Sequence, residues 1–207
     1  MRILKISKVT TFMVGILMTA ILLGGCSNKV QSIQPNQESD FTYIAIAGEA
    51  QIKKYIGAGG VVTIPSTFGG TYPVTSIGID AFKDCRDLTS ISLPQELISI
   101  GDEAFSGCWH LTTIRIPQGV TSIGRSAFKE CTCLTTITIP LGVTSIGMGA
   151  FYDCKSLNTI RFNSATTTIP NAWDTIPATT TIIGNDPSTA KTYSTKYKND
   201  FEVIALH

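Results

Sequence analysis

Apolar residues recur along this chain with a fixed spacing of 23 residues between Val74 and Ala165. The unit repeats four times without insertion or deletion, as VTSIGIDAFKDCRDLTSISLPQE, LISIGDEAFSGCWHLTTIRIPQG, VTSIGRSAFKECTCLTTITIPLG and VTSIGMGAFYDCKSLNTIRFNSA. A short fixed period is typical of a solenoid, in which each unit buries its apolar face only against its neighbours. The repeats over residues 74–165 therefore predict an extended surface rather than an enclosed pocket.

Each unit contains two apolar patterns that predict short strands. The pattern Leu-x-x-Ile-x-Ile alternates inward and outward positions, and a proline then ends the strand in three of the four units. A second apolar column starts at Val74 and Ile77, and a glycine at a sharp bend follows it. The Ala-Phe pair of each unit, first seen at Ala81 and Phe82, predicts a single helical or 3₁₀ turn and a stacked phenylalanine column in the core.

The segments on either side of the repeats predict two caps. Residues 41–73 predict a β-hairpin and a half repeat, with a six-residue insertion in residues 67–73. Residues 57–60 favour a hairpin turn over a phosphate-binding loop, because neither a helix nor a Lys-Ser/Thr pair follows them. Residues 166–207 predict a degenerate repeat, a helix over residues 188–198 with Asp186 and Pro187 as its N-cap and N1 residues, and a final strand over residues 201–206.

The start of the chain predicts export and a lipid anchor. Residues 1–25 combine a basic start with an apolar run that is short for a bilayer, which is typical of a signal peptide. The stretch from Leu23 to Cys26 resembles the lipobox of bacterial lipoproteins, so we expect an acylated Cys26 that anchors the chain to a membrane. The alternative is an ordinary signal peptide with an incidental Cys26. Residues 26–40 are polar and predict a flexible tether.

Four of the six cysteines, Cys85, Cys108, Cys131 and Cys154, occupy one position of the repeat. Stacked coils place equivalent Cβ atoms about 4.8 Å apart with parallel directions, which does not suit a disulfide. We interpret this column as small buried apolar residues. Cys133 has no counterpart and is either an exposed thiol or a point of intermolecular disulfide exchange.

Composition argues against several classes of function. Beyond residue 25, 13 basic residues balance 15 acidic ones without a basic run, which disfavours a nucleic-acid partner. The two histidines, His110 and His207, offer no evident partner for a catalytic site, so no enzyme is predicted. A collinear column of cysteines does not supply a tetrahedral metal site, and neither a metal nor a cofactor is expected.

The remaining candidate site is the outward column of the Leu-x-x-Ile-x-Ile strands, formed by Ser92, Arg115, Thr138 and Arg161. Its two guanidinium groups are suited to bidentate pairing with carboxylates or sulfates on a protein or a glycan. The alternative is that serine and threonine are present as good strand formers that keep a sheet soluble. Trp109 is a candidate binding anchor, or an ordinary exposed aromatic residue.

The unit L-T-x-I-x-I-P-x-G-V-T-S-I-G-x-x-A-F-x-x-C resembles the BspA-like, or Treponema pallidum type, bacterial leucine-rich repeats, from residue 41 to about residue 206. The resemblance implies a mainly β, right-handed solenoid of 23-residue coils in a surface lipoprotein on the cell membrane or outer membrane. It also implies a non-enzymatic adhesin that binds an extracellular protein or glycan. The alternative is a structural or assembly component of the envelope that recognises a bacterial partner.

Overall fold

The computed structural model describes residues 37–185 and 187–204. The predicted signal peptide, the predicted lipidation site Cys26 and residues 26–36 of the predicted tether lie outside these ranges, as do Asp186 and residues 205–207. Within the described ranges, no helix has both the length and the apolar content needed to cross a bilayer.

The described part of the chain is built almost entirely from short strands. In chain order they are β1 (Phe41–Ile46), β2 (Glu49–Tyr55), β3 (Gly60–Thr63), β4 (Thr67–Phe68), β5 (Tyr72–Ile77), β6 (Leu88–Ser92), β7 (Ser99–Ile100), β8 (Thr113–Ile114), β9 (Ser122–Ile123), β10 (Thr136–Ile139), β11 (Ser145–Ile146), β12 (Thr159–Phe162), β13 (Thr181–Gly184) and β14 (Phe201–Val203). A 3₁₀ turn at Glu38–Asp40 precedes β1, and helix α1 at Thr189–Tyr197 precedes β14.

Each repeat contributes one strand to each of two stacks, as the two apolar patterns predict. The first stack has the order β1-β2-β5-β7-β9-β11, with β4 beside β5. The second stack consists of two sheets, β3-β6-β8 and β10-β12-β13-β14. Equivalent residues pair in parallel from coil to coil, as Ile137 does with Ile160 and Ile100 with Ile123. This register confirms the mainly β solenoid with coils of 23 residues.

The Ala-Phe segment forms consecutive turns closed by i→i−3 hydrogen bonds, such as the Lys83 N–H to the Asp80 carbonyl at 3.2 Å, in place of the predicted single helical or 3₁₀ turn. A positive φ recurs at two positions of every repeat, Asp80, Glu103, Ser126 and Gly149 at the first and Asp84, Gly107, Glu130 and Asp153 at the second. Alternate N–H groups of the backbone between them point at the next coil. The Phe82 N–H donates to the Ala104 carbonyl at 2.7 Å, and the Phe105 N–H donates to the Ala127 carbonyl at 2.7 Å. A helical turn would instead keep such donors for carbonyls of its own segment.

The phenylalanine column is confirmed as the centre of the core. Phe82, Phe105, Phe128 and Phe151 are fully buried. Their ring centroids lie 5.0, 5.3 and 5.5 Å apart in sequence order, and the angle between successive rings falls from 20° to 1°. Tyr55 of the N-terminal segment stacks on Phe82 at 5.2 Å. The cap and the repeats therefore share one continuous aromatic stack.

The glycine after each strand of the first stack is required by close approach rather than by the predicted bend. Gly101 and Gly124 have no positive φ, so their backbone is open to any residue. A Cβ built on Gly124 would lie 2.5 Å from the Asp102 nitrogen, and one on Gly101 would lie 2.8 Å from the Gly78 carbonyl carbon. These glycines mark where the backbones of successive coils touch.

The N-terminal hairpin is confirmed, although its turn is not where the glycine-rich segment lies. β1 and β2 pair in antiparallel fashion around Ala47 and Gly48, which both have positive φ. β2 pairs on its other side with β5, whereas β3 pairs with β6. Residues 57–60 therefore connect the two stacks, and the prediction of a hairpin turn there is wrong.

The predicted insertion forms a small hairpin of β4 and β5 that closes the end of the core. It carries Phe68 into the core, where its ring stacks on Tyr43 with centroids 4.4 Å apart. The Glu38 carboxylate accepts hydrogen bonds from the Gly69 N–H at 2.8 Å and from the Tyr43 hydroxyl at 3.0 Å. Glu38 belongs to the predicted tether, residues 26–40. The packed structure therefore already includes the last residues of that segment.

The C-terminal segment forms the predicted helix and strand with shifted bounds. Ser188 is the N-cap of α1, because its side chain accepts a hydrogen bond from the Lys191 N–H at 3.0 Å. The cap is therefore two residues later than the predicted Asp186. The Tyr193 hydroxyl donates to the Ala172 carbonyl at 2.9 Å and holds α1 against the last coil. β14 then pairs in parallel with β13 and ends the second stack.

Truncation in the middle of the phenylalanine column should be costly. We expect Phe105→Ala to lower the free energy of unfolding by about 3–5 kcal/mol, because its cavity would interrupt contacts with the rings above and below. Urea and thermal denaturation measure this loss. Ile79→Ala, which removes a side chain that is 61% exposed, is the matched control and should change stability little. An unchanged midpoint for Phe105→Ala would contradict the assigned core.

Alanine at the glycine contacts should force the coils apart. We expect Gly124→Ala to destabilise the protein by about 1–3 kcal/mol, since its new methyl group would overlap the neighbouring backbone. In Gly184→Ala the nearest atoms would lie at an ordinary 3.5 Å, so that variant should be neutral or slightly more stable. Equal melting temperatures for the two variants would show that the coils can move apart without loss of stability.

Candidate functional site

The outward column of the second stack runs along both of its sheets. Its sequence-predicted members Ser92, Arg115, Thr138 and Arg161 are all exposed. Thr138 pairs with Arg161 across β10 and β12, and Ser92 pairs with Thr63 across β6 and β3. Alternation within each strand directs these side chains away from the core, because residues on either side of them are buried.

A second outward column runs beside the first. It contains Ser90, Thr113, Thr136 and Thr159, which pair in register within each sheet. From β6 to β12 the two columns thus present six hydroxyl groups and two guanidinium groups. We call this surface the strand face. It contains no acidic, aromatic or aliphatic side chain at these eight positions.

The strand face is interrupted at its centre. β8 bonds to β6 and β10 bonds to β12, but the ladder does not continue from β8 to β10. A groove of about 360 Å³ opens there. Its polar lining comes from Thr113, Arg115, Gln118, Thr136 and Thr138, and Ile114, Ile116, Ile137 and Pro140 complete it. The break therefore forms a concave site on the strand face, and both Arg115 and Thr138 line it.

Arg115 and Arg161 are two of the described cations that have no carboxylate partner, as are Lys53 and Arg86. Among the described residues, the salt bridges are formed by Lys83, Arg125, Lys129 and Lys155, and Arg115 and Arg161 form none. Both guanidinium groups are therefore free of carboxylates within the described structure. Their full bidentate donor geometry is available to an anionic ligand.

The hydroxyl groups divide into two sets according to their hydrogen bonds. Thr112 and Thr132 donate to carbonyls of the preceding coil, at 3.1 Å to Thr89 and at 3.2 Å to Trp109. These hydroxyls fasten one coil to the next. Within the described ranges, the hydroxyls of Thr113 and Thr138 on the strand face make no such bond. They are available to a ligand.

Trp109 lies outside the groove, so the structure does not bring this candidate together with Arg115. It occupies the turn after Cys108 and is 38% exposed. The Arg86 guanidinium carbon lies 4.1 Å from the centroid of its ring, a cation–π contact with the preceding coil. One face of the indole is thus already occupied by a residue of the protein itself.

The cysteine column has a polar role that the sequence interpretation missed. Cys108, Cys131 and Cys154 are buried, as predicted, whereas the fourth member of the column, Cys85, is only half-buried because it belongs to the first full coil. Each buried thiol also donates to the carbonyl of the phenylalanine 26 residues earlier, as the Cys108 Sγ does to the Phe82 oxygen at 3.2 Å. Burial is the main cause that raises the pKa of the Cys108 thiol. The five described cysteines, including the half-buried Cys133, are free thiols.

The described residues hold no group of three or more His, Cys, Asp and Glu side chains arranged for a metal ion. His110 is exposed, and its Nδ1 lies 2.7 Å from the Arg86 carbonyl oxygen. The imidazole therefore makes a contact between coils.

Comparison with known proteins identifies the repeat. The profile of the BspA type leucine rich repeat region matches residues 62–173 in six copies. A search of curated proteins found no match to the chain.

Solved structures with the same architecture come from several bacteria. The chain is similar to the Treponema pallidum leucine rich repeat protein, with 28% identity and a TM-score of 0.62 over 72% of this chain and 71% of that one. A leucine-rich repeat protein from Bacteroides capillosus has 27% identity and a TM-score of 0.53 over 62% of this chain and 97% of its own. A leucine rich cell surface protein from Faecalibacterium prausnitzii has 30% identity and a TM-score of 0.50 over 77% of this chain and 53% of its own.

Proposed function

The chain belongs to the family of BspA-type leucine-rich repeat proteins, and on that premise we propose that it is a non-enzymatic binding module at the cell surface. Leucine-rich repeat proteins generally act as modules for interaction with other proteins. The proposed role is recognition of, or adhesion to, an extracellular protein or glycan. The observation that carries it is the pair of exposed arginines, Arg115 and Arg161, which have no carboxylate partner in the described structure.

Surface geometry supports binding rather than catalysis. The strand face presents its groups in a row along the coils, whereas catalysis needs titratable groups that converge on one reacting atom. The groove at the break between β8 and β10 presents hydroxyl, amide and guanidinium groups beside isoleucine and proline side chains. Its polar groups supply directional hydrogen bonds and charge pairing to a ligand that lies across several coils.

We also propose that the module is attached to a membrane by lipid at Cys26. The lipobox-like stretch before Cys26 supports this, and so does the F. prausnitzii relative, which is described as a cell surface protein. An anchored terminus followed by a polar segment would hold the repeats away from the bilayer, where the strand face can meet large ligands.

Binding should depend on the two arginines. The full-length chain, purified in mild detergent, is applied to an array of extracellular-matrix proteins and glycans beside an Arg115→Ala/Arg161→Ala variant. We expect saturable binding that falls at least about tenfold for each arginine lost, since a charged hydrogen bond contributes about 1.5–3 kcal/mol. Arg125→Ala, which removes an exposed arginine from another face, is the matched control and should bind like the parent.

An equal loss in the control and in the double variant would remove the strand face from the mechanism. No binding on the array, together with crosslinking to envelope proteins through the same arginines, would instead favour the envelope-component alternative. Circular dichroism of every variant separates loss of binding from loss of fold.

Lipid attachment should depend on one cysteine alone. We expect Cys26→Ser to abolish incorporation of an alkyne-labelled fatty acid and to release the chain from the membrane fraction, because the thiol is the acylated group. Cys133→Ser, which removes the cysteine that has no counterpart in the repeat column, is the control and should keep both label and membrane association. Labelling that survives Cys26→Ser would refute the anchor.

A further inference from the structure

The strand face has a charge pattern that selects for anions. Its eight outward positions from β6 to β12 include two arginines and no acidic residue, although the described chain carries many carboxylates elsewhere. The salt-bridged cations, by contrast, are found outside the strands of the second stack. These eight positions therefore carry only positive charge, and the nearest acidic residue of the same column, Glu202 on β14, lies two strands beyond Arg161.

The arginines are spaced by two coils. Successive coils in this region are separated by 5.3 and 5.5 Å, as measured between the centroids of Phe105, Phe128 and Phe151. Arg115 belongs to the first of these coils and Arg161 to the third, so the two arginines are separated by two coil spacings, as measured along the phenylalanine column. In an extended 1,4-linked polysaccharide, one sugar advances by about the spacing of one coil. Two coils then correspond to one disaccharide.

The coil between the two arginines presents the shorter Thr138. Together with Thr113, Thr136 and the Gln118 amide, it forms the groove at the break in the ladder. A ring that lies over Thr138 would meet hydroxyl and amide groups, while its neighbours place their anionic groups near the guanidinium groups. The repeated hydroxyls match a ligand that itself repeats hydroxyls at the same interval.

A protein partner fits this face less well. Protein interfaces concentrate their binding energy in apolar and aromatic anchors that fill central pockets. The eight outward positions of the strand face carry no such side chain, and the exposed Trp109, Met148 and Tyr152 lie on the turns. The apolar neighbours of the face are Val61 beside Ser90 and Ile183 beside Arg161, at its two ends. The groove is lined by five polar residues and by four apolar ones, Ile114, Ile116, Ile137 and Pro140, and none of them is aromatic.

From the free arginines, their spacing and the polar groove, we propose that the strand face binds a linear acidic polysaccharide that lies along the coils and carries an anionic group on alternate sugars. This inference rests on the proposed function of the same face and names its ligand class. Carboxylate or sulfate would satisfy the two guanidinium groups equally, because both accept paired hydrogen bonds.

The test uses the full-length chain in mild detergent and three probes. They are a heparosan decasaccharide, which carries one carboxylate on alternate 1,4-linked sugars, the same oligosaccharide with its carboxylates reduced to alcohols, and poly-L-glutamate. We expect saturable binding to heparosan and at least about a tenfold weaker affinity for the reduced form. Arg115→Ala/Arg161→Ala should lose heparosan binding, and Arg125→Ala should stay within about twofold of the parent.

A charge-shift variant tests the spacing itself. Arg115→Thr with Thr138→Arg keeps both positive charges on the strand face but places them on adjacent coils. We expect it to bind heparosan about tenfold more weakly than the parent, which is the loss of one well-placed arginine. Parent-like affinity would overturn the proposal, because charge alone would then account for binding.

The outcomes separate this inference from the proposed function. Binding of poly-L-glutamate through the two arginines, with no binding of heparosan, would overturn the polysaccharide and leave a module for acidic proteins. If no probe and no array ligand required the two arginines, the proposed function would fail as well.

Discussion

Hydrogen bonding between successive coils is the constraint on which the rest of this structure depends. Strands of both stacks pair in register, and the turn segments add a third set of bonds between coils. Buried backbone groups must find partners, and here their partners lie one coil away. The spacing of the coils is therefore set by the backbone, and side chains at equivalent positions are forced into columns. The phenylalanine stack, the glycine contacts and the row of outward hydroxyls all follow from that spacing.

The sequence predicted these columns well because the strict period shows each position of the repeat four times. Phe105 and Ile114 are buried where the pattern placed them, and Arg115 is exposed. The turn segment was misjudged because an Ala-Phe pair favours a helix locally. The recurrent positive φ at Asp80 and Asp84 orients the backbone for hydrogen bonds to another coil. The local sequence alone does not predict bonds of that kind. The signal available was the recurrence of Asp, Glu, Ser and Gly at those positions, which tolerate left-handed backbone better than branched residues.

The candidate site was only partly accessible from the sequence. The outward column could be derived from alternation within a strand, and the two arginines stand out in it. The break between β8 and β10 could not be derived, because the repeats around it are nearly identical in pattern. Trp109 looked like a free anchor until the structure placed Arg86 over its ring. The period puts these two equivalent positions on adjacent coils, but it does not report whether their side chains stack. Columns are a property of the period, whereas contacts between unlike neighbours depend on the individual side chains.

The hydrogen bonds of the turn segments also align their peptide dipoles. Their N–H groups at alternate residues all point toward the C-terminal end and their carbonyls toward the N-terminal end, so the peptide dipoles of this side of the solenoid are aligned as in a helix. The carbonyl end attracts a cation: the Lys54 ammonium donates to the Asp80 carbonyl at 3.1 Å. At the opposite end the Phe151 N–H donates to the Thr175 carbonyl at 3.0 Å, and the acidic Asp174 is the adjacent residue. Each cap thus closes the core and places the appropriate charge at one pole of a dipole that grows with every added coil.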